Sequence, residues 1–425
     1  MKEVDILVEK AILVGVNLQK DEHFDYSMEE LKNLAEALNV EVVGIVTQNL
    51  ERVVPSHYVG TGKIEEIKAF FEEADANLVI FNDELSPSQI RNLEHDLACK
   101  VIDRTMLILD IFGRRAKTRE AQLQVELAQL QYMLPRLVGL HASLSRQGGG
   151  PGGGFKNRGA GETKLELDRR KIEDQIAKIK KDLEQVKDQR ETQRKQRRKN
   201  AVPVVSIVGY TNAGKSTIMN QLLQKVGQEN NKQVFEKDML FATLETSVRQ
   251  IDLQDNKIFL LTDTVGFVSK LPHHLVKAFR STLEEARDAD LLLHVVDVSN
   301  EEYRFMMDVT NETLKAVGVE DIPTIYVYNK SDKANIAYPL VSGDNIWISA
   351  KETVGLEELL QLIRTHIFSD YVNCQMLIPY DQGAVVSYLN EQATVLATVY
   401  EEEGTLLTLE MKEQDFQRYQ QYVIK

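Results

Sequence analysis

The chain has 425 residues, 43% hydrophobic and 27% charged, the balance of a folded soluble protein too long for one hydrophobic core, so about three cores are expected. Cys99 and Cys374 stand 275 positions apart, and no apolar run is long enough to cross a bilayer. This excludes a disulfide scaffold, a cysteine metal cluster and stable membrane insertion, and points to a reducing cytoplasm. The net charge of −14 hides a polarity: residues 136–199 carry +9 and the rest −23, so a polyanion could be met through one region only.

Met1-Lys2-Glu3-Val4-Asp5 lacks the apolar core of an export signal. Ala11–Val16 and Glu41–Val46 are apolar and β-branched, and a helix is expected to open between them at Ser27. The Ser27 hydroxyl would form a capping box with Glu30. Asn77–Phe81 reads as another strand, followed by a helix from Ser86 or Pro87. Residues 1–110 should therefore form a small α/β domain on a largely parallel sheet.

Over 111–200 the texture changes. Leu123, Leu127, Leu130, Leu134 and Leu137, then Ile172, Ile176, Ile179, Leu183 and Val186, repeat at spacings of four and three, the seam of helices packed lengthwise. Gly148-Gly149-Gly150-Pro151-Gly152-Gly153-Gly154 cannot be helical, so a helical hairpin with a glycine-rich tip is expected, its first helix kinked or ended at Pro135. From 201 to 368, Val204–Val208, Ile258–Leu261, Leu291–Val296, Thr324–Tyr328 and Ile346–Ile348 read as strands of a doubly wound nucleotide-binding domain. The last stretch, 369–425, reads as a small α+β module with a helix near Ala384–Asn390, strands Val395–Tyr400 and Leu406–Leu409, and a final helix.

Gly209-Tyr210-Thr211-Asn212-Ala213-Gly214-Lys215-Ser216 follows the strand Val204–Val208 and fits the Walker A pattern. Its glycines let backbone N–H groups wrap phosphates, Lys215 adds a point charge, and the Ser216 hydroxyl suits Mg²⁺. Asp263-Thr264-Val265-Gly266 follows the next strand; its carboxylate can hold Mg²⁺ through water, and Gly266 can bring an N–H to a γ-phosphate. Asn329-Lys330-Ser331-Asp332 supplies base recognition, because guanine offers two donors on one edge and an ionised carboxylate only accepts.

That constellation resembles the base-recognition motif of P-loop GTPases. The resemblance gives Asn329 a bracing role, lays Lys330 over the ring, and lets the Ser349-Ala350-Lys351 backbone read the guanine oxygen. GTP is the expected nucleotide. A switch threonine for Mg²⁺ should lie in Phe241-Ala242-Thr243-Leu244, with Thr243 preferred over Thr246. Phe267 stands where many regulatory GTPases place a glutamine that orients water, so unassisted hydrolysis should be slow. Asn212 resembles the potassium-binding residue of cation-activated GTPases, making K⁺ a second expected cofactor.

Together with Thr217, the run Gly266-Phe267-Val268-Ser269-Lys270-Leu271-Pro272-His273, and the stretches Arg119–Leu127 and Gly159–Glu166, these residues resemble the HflX family of GTPases over nearly the whole chain. The resemblance implies binding to the large ribosomal subunit and whole ribosomes, with splitting or rescue of stalled particles under stress. Phe267 belongs to that family's pattern and does not imply a dead enzyme. A basic helical hairpin could meet ribosomal RNA through Arg146, Lys156, Arg158 and Lys164 and through Arg194, Lys195, Arg197, Arg198 and Lys199. A monomer is expected. Val59-Gly60-Thr61-Gly62-Lys63 is similar to a truncated phosphate loop, but lacks the full spacing and a hydroxyl after the lysine, so a helix-entry turn is the preferred reading. The alternatives are an RNA-remodelling ATPase working through the N-terminal domain and a GTP-gated binding protein for a nonribosomal partner.

Overall fold

The computed structural model describes residues 9–19, 21–147, 158–199, 202–227, 241, 247–253, 255–272 and 285–424. The glycine-rich tip, Thr243, Thr246 and His273 lie outside them. Four strands, Lys10–Leu18, Glu41–Leu50, Leu78–Phe81 and Lys100–Asp103, form an all-parallel sheet in which the first lies between the second and third. Ala11 to Val14 and Leu78 to Phe81 are buried on both faces, as a sheet covered by helices on each side requires. Ser86 caps the helix Pro87–Leu97 in a capping box with Gln89.

Ser27 and Glu30 do not form one. The helix opens three residues earlier and runs Phe24–Glu36, which puts both side chains in its interior and buries them. Long-range partners explain the difference. The Ser27 hydroxyl exchanges hydrogen bonds with Asn82, and Glu30 pairs with Arg104, so neither is available to the helix end.

Arg119–Gln147 and Arg158–Lys199 are two long helices packed on each other. Leu123, Ile176 and Ile179 are buried along the expected seam. The first helix continues through Pro135 instead of ending there. The next residue, Arg136, donates from its guanidinium to the Tyr132 carbonyl at 2.7 Å and to Leu85 O at 2.9 Å, which ties this turn to the N-terminal domain. Val125, Ala128 and Tyr132 form a second buried stripe on that helix, against the N-terminal core.

The second sheet has seven strands. Its parallel centre runs Asn345–Trp347, Thr324–Asn329, Leu291–Asp297, Val204–Gly209, Ile258–Asp263. Antiparallel edges, Leu340–Ser342 and Ser247–Asp252, close it at either side. The last module is a three-stranded antiparallel sheet, with Gly404–Lys412 between Tyr371–Ile378 and Thr394–Glu401 and the helix Gly383–Gln392 on one face. Among the described residues no helix is long and apolar enough to cross a membrane.

Candidate nucleotide site

At the C-terminal end of Val204–Gly209 the chain turns sharply into the helix Lys215–Lys225. Gly209 (φ 145°), Asn212 (φ 60°) and Gly214 (φ 97°) take left-handed backbone angles that make the turn possible. A Cβ on Gly209 would strike the Val295 carbonyl, and one on Gly214 the Asn329 amide, so both positions need glycine twice over. The helix thus points its first N–H groups back over the strand end, where a phosphate would sit.

Lys215 is buried, and its ammonium donates to the carbonyls of Gly209 at 3.1 Å and Tyr210 at 2.7 Å. Burial lowers its pKa to about 8, against the opposing pull of Asp263. Ser216 Oγ donates to Asp263 Oδ2 at 2.7 Å. Asp263 is wholly buried and is the last residue of its strand rather than the residue after it. Thr264 Oγ1 donates to Ile207 O at 2.7 Å, keeping the turn after that strand against the phosphate-loop strand.

The segment following Asp263 lies on the phosphate loop itself. Phe267 N donates to Gly209 O at 3.2 Å, and Phe267 O accepts from Thr211 N at 2.8 Å, making a parallel bridge. Gly266 allows this approach: a Cβ there would lie 3.0 Å from Lys215 Nζ and closer to Thr211. The Phe267 ring is buried among Tyr210, Ala286 and Leu292 and cannot face the nucleotide. Val265 and Val268, with Phe241 from the preceding switch region, pack into the N-terminal core, where Phe241 meets Phe112 edge-on at 4.5 Å.

Asn329 bridges two loops. Its Nδ2 donates to Ala213 O at 2.9 Å, and its Oδ1 accepts from Ala350 N at 3.0 Å. Lys330 (φ 64°) donates to Asp297 Oδ2 at 2.7 Å, and Asp332 Oδ1 accepts from Ser349 Oγ at 2.7 Å. Lys351 is exposed beside them. The fold therefore brings residues 209–217, 263–266, 329–332 and 349–351 to one rim of the sheet, while Thr243 lies outside the described residues.

Sequence reasoning missed Asp297, which anchors Lys330; its position at a strand end, as at Asp263, was the available signal. It also missed His294, buried beneath the loop, whose pKa is lowered to about 4 by burial and then by Lys215. At Val59–Lys63 the helix Thr61–Glu73 starts directly after Gly60, and Lys63 pairs with Glu66 at 2.6 Å. No group of three or more His, Cys, Asp or Glu side chains that could hold a metal ion occurs among the described residues.

A phosphate loop, a carboxylate at the neighbouring strand end and an Asn-Lys-Ser-Asp base loop on one parallel sheet define a P-loop GTPase. Residues 204–330 match the family described as "50S ribosome-binding GTPase", 25–113 "GTP-binding GTPase N-terminal" and 115–197 "GTP-binding GTPase Middle Region". "GTPase HflX" of Caldanaerobacter subterraneus is 44% identical, covering 100% of this chain and 96% of the relative. The same-named proteins of Lacrimispora saccharolytica and Escherichia coli are 47% and 38% identical, covering 95% and 94% of this chain and 93% and 92% of each relative. The chain belongs to the HflX family of GTPases, and GTP is its substrate.

Proposed function

We propose that this GTPase couples hydrolysis to binding of the large ribosomal subunit and whole ribosomes in the cytoplasm, acting as a monomer that splits or rescues stalled particles under stress. The observation that carries the reading is the match of residues 204–330 to a family described as ribosome-binding. Charge supports it over the hairpin as a whole, where residues 136–199 carry 18 Lys and Arg against 9 Asp and Glu; the described stretch 166–186 is itself balanced, six basic against six acidic residues. The four domains of the reading have the limits 1–110, 111–200, 201–368 and 369–425.

In this reading Gly209 to Thr217 hold the phosphates, and Thr264 and Val265 shape the loop that presents Gly266. Lys215, the Gly266 N–H and Thr243 act where charge develops on the transferred phosphoryl group. Asp332 accepts from both guanine donors. Asn329 and Lys330 frame the base, and the Ser349-Ala350-Lys351 backbone meets its oxygen. Ser216, Asp263 and Thr243 are hard oxygen donors of the kind Mg²⁺ takes, and the contact between the first two fits such a site. Mg²⁺ would neutralise charge on the β- and γ-phosphate oxygens. K⁺ beside Asn212 would add positive charge at the same place. With the Phe267 ring in the core, orientation of water falls to another group, which a bound partner can supply.

One experiment tests this. Ribosomes are sedimented through sucrose gradients with the protein and a nonhydrolysable GTP analogue, in K⁺ and in Na⁺ buffers, with GTP turnover followed alongside. Co-sedimentation or dissociation of particles, turnover that rises with ribosomes, and faster turnover in K⁺ are expected. Particles that neither carry the protein nor dissociate would overturn the ribosomal reading; equal rates in the two salts would remove K⁺.

A further inference from the structure

Glu30 is the centre of a buried polar node joining the N-terminal domain to the nucleotide site. Its Oε1 accepts from the Tyr210 hydroxyl at 2.5 Å, and its Oε2 accepts from Arg104 and from Ser269 Oγ. Arg104 also donates to Asn82 Oδ1 at 2.9 Å and to Ser269 Oγ at 3.0 Å. Ser269 N donates to the Tyr210 hydroxyl at 2.6 Å. All five side chains are at most 4% exposed. Burial and then Glu30 hold the Tyr210 hydroxyl protonated, so it must donate to the carboxylate. Tyr210 belongs to the phosphate loop, and Ser269 lies three residues beyond Gly266.

The consequence is steric. A phosphoryl oxygen held between an ammonium and a backbone N–H needs about 2.8 Å to each. Here a Cβ at Gly266 would already lie 3.0 Å from Lys215 Nζ, and Phe267 is hydrogen-bonded to the loop on both sides of Tyr210. The γ-phosphate is the part of a triphosphate that the Gly266 N–H would meet, so any shift of Gly266 and Phe267 to receive it has to break this bridge to the loop, a demand that a diphosphate would not make. The bonds from Tyr210 and Glu30 to Ser269 oppose that movement.

We propose that Glu30 is a positioning residue that sets the preference between triphosphate and diphosphate: from the N-terminal domain it holds the segment after Gly266 against the phosphate loop. The claim rests on the GTPase reading of the site. It gives the N-terminal domain, to which the paired long helices are attached through Val125, Ala128 and Tyr132, a direct hold on the γ-phosphate contact.

The test is calorimetric titration of the full chain with GDP and with a nonhydrolysable GTP analogue. Glu30→Gln and Ser269→Ala should bind the analogue about tenfold tighter relative to GDP, the worth of one charge-assisted hydrogen bond. Their GDP affinity should stay within about twofold of the wild type, far below that change. Should Glu30→Gln fail to fold because Arg104 is left unpaired, the double variant Glu30→Leu/Arg104→Met removes both buried charges and should show the same shift. A ratio that stays put, or two affinities that fall together as a merely structural role requires, would overturn the proposal. Wild-type protein that binds neither nucleotide would instead overturn the GTPase reading beneath it.

Discussion

Two strand-to-helix junctions in this chain carry glycines followed by a lysine, and only one is built for phosphate. At Gly209–Lys215 three left-handed residues coil the backbone, two glycines sit where any Cβ would collide, and the lysine is buried with its ammonium on the loop's own carbonyls. At Gly60–Lys63 Gly60 has an extended backbone (φ −69°, ψ 154°), a Cβ on Gly62 would meet nothing within 4 Å, and Lys63 reaches an ordinary partner one turn along its helix. Both turns present a helix N-terminus. What separates them is crowding: a phosphate cradle forces the backbone close to itself and to its neighbours, and the glycines record that pressure. At the helix-entry turn a Cβ on Gly60 would meet only the end of the flexible Gln48 side chain, at 3.1 Å, and Gly62 has open space.

The sharpest way to break this contrast is to remove each lysine. Lys215→Ala should lower GTP turnover on the order of 100-fold or more, as loss of a preorganised charge on a transferring phosphoryl group does. Lys63→Ala should leave GTP turnover unchanged, and ATP binding should be absent from the full chain with or without it, as competition of ATP against labelled GTP would report. ATP binding that disappears with Lys63 would place a second nucleotide site at the N-terminal turn and erase the distinction.

The first lysine also has a buried neighbour with no counterpart at the second turn. His294 titrates near 4 in the folded protein and at about 6.5 when free. The unfolded chain therefore binds a proton that the folded one refuses, and stability is lost as pH falls from about 6.5 to 4. At about 1.4 kcal/mol per unit the loss approaches ~3 kcal/mol. His294→Asn should flatten this part of the curve in urea unfolding measured between pH 7 and pH 4.5. An unchanged slope would mean the ring is protonated beneath the loop.

The uneven legibility of the sequence has the same origin as that contrast. The phosphate loop, the base loop and the heptad seam Ile172–Val186 were readable because their patterns are local: the spacing that defines the chemistry also defines the turn or helix that carries it. Ser27-Met28-Glu29-Glu30 carries a local pattern too, and there it misled, because Glu30 is held by Arg104, Tyr210 and Ser269, which lie 74, 180 and 239 positions away. No window around residue 30 contains that information. The strands Ser247–Asp252 and Tyr371–Ile378 escaped notice because each is an edge of its sheet, with polar residues such as Arg249, Gln250, Asn373 and Gln375 interrupting the apolar alternation. Pro135 was read as a kink or an end, and the helix runs on through it, its next residue Arg136 tied to Leu85 O in the N-terminal domain.

The smallest effects test crowding directly, through one methyl group at each turn. Gly62→Ala adds a Cβ into open space in the first turn of a helix and should stabilise the chain by about 0.5–1 kcal/mol through the unfolded state. Gly214→Ala forces a left-handed alanine against the Asn329 amide and should destabilise by about 1–2 kcal/mol or more. Its damage should also spread to base recognition, because Asn329 joins Ala213 to Ala350 and must give way. Thermal unfolding with and without GDP reads both effects. Gly62→Ala should raise the midpoint equally in either condition, and Gly214→Ala should lower it while shrinking the shift that GDP produces. Equal responses at the two positions would show that crowding does not separate the two turns.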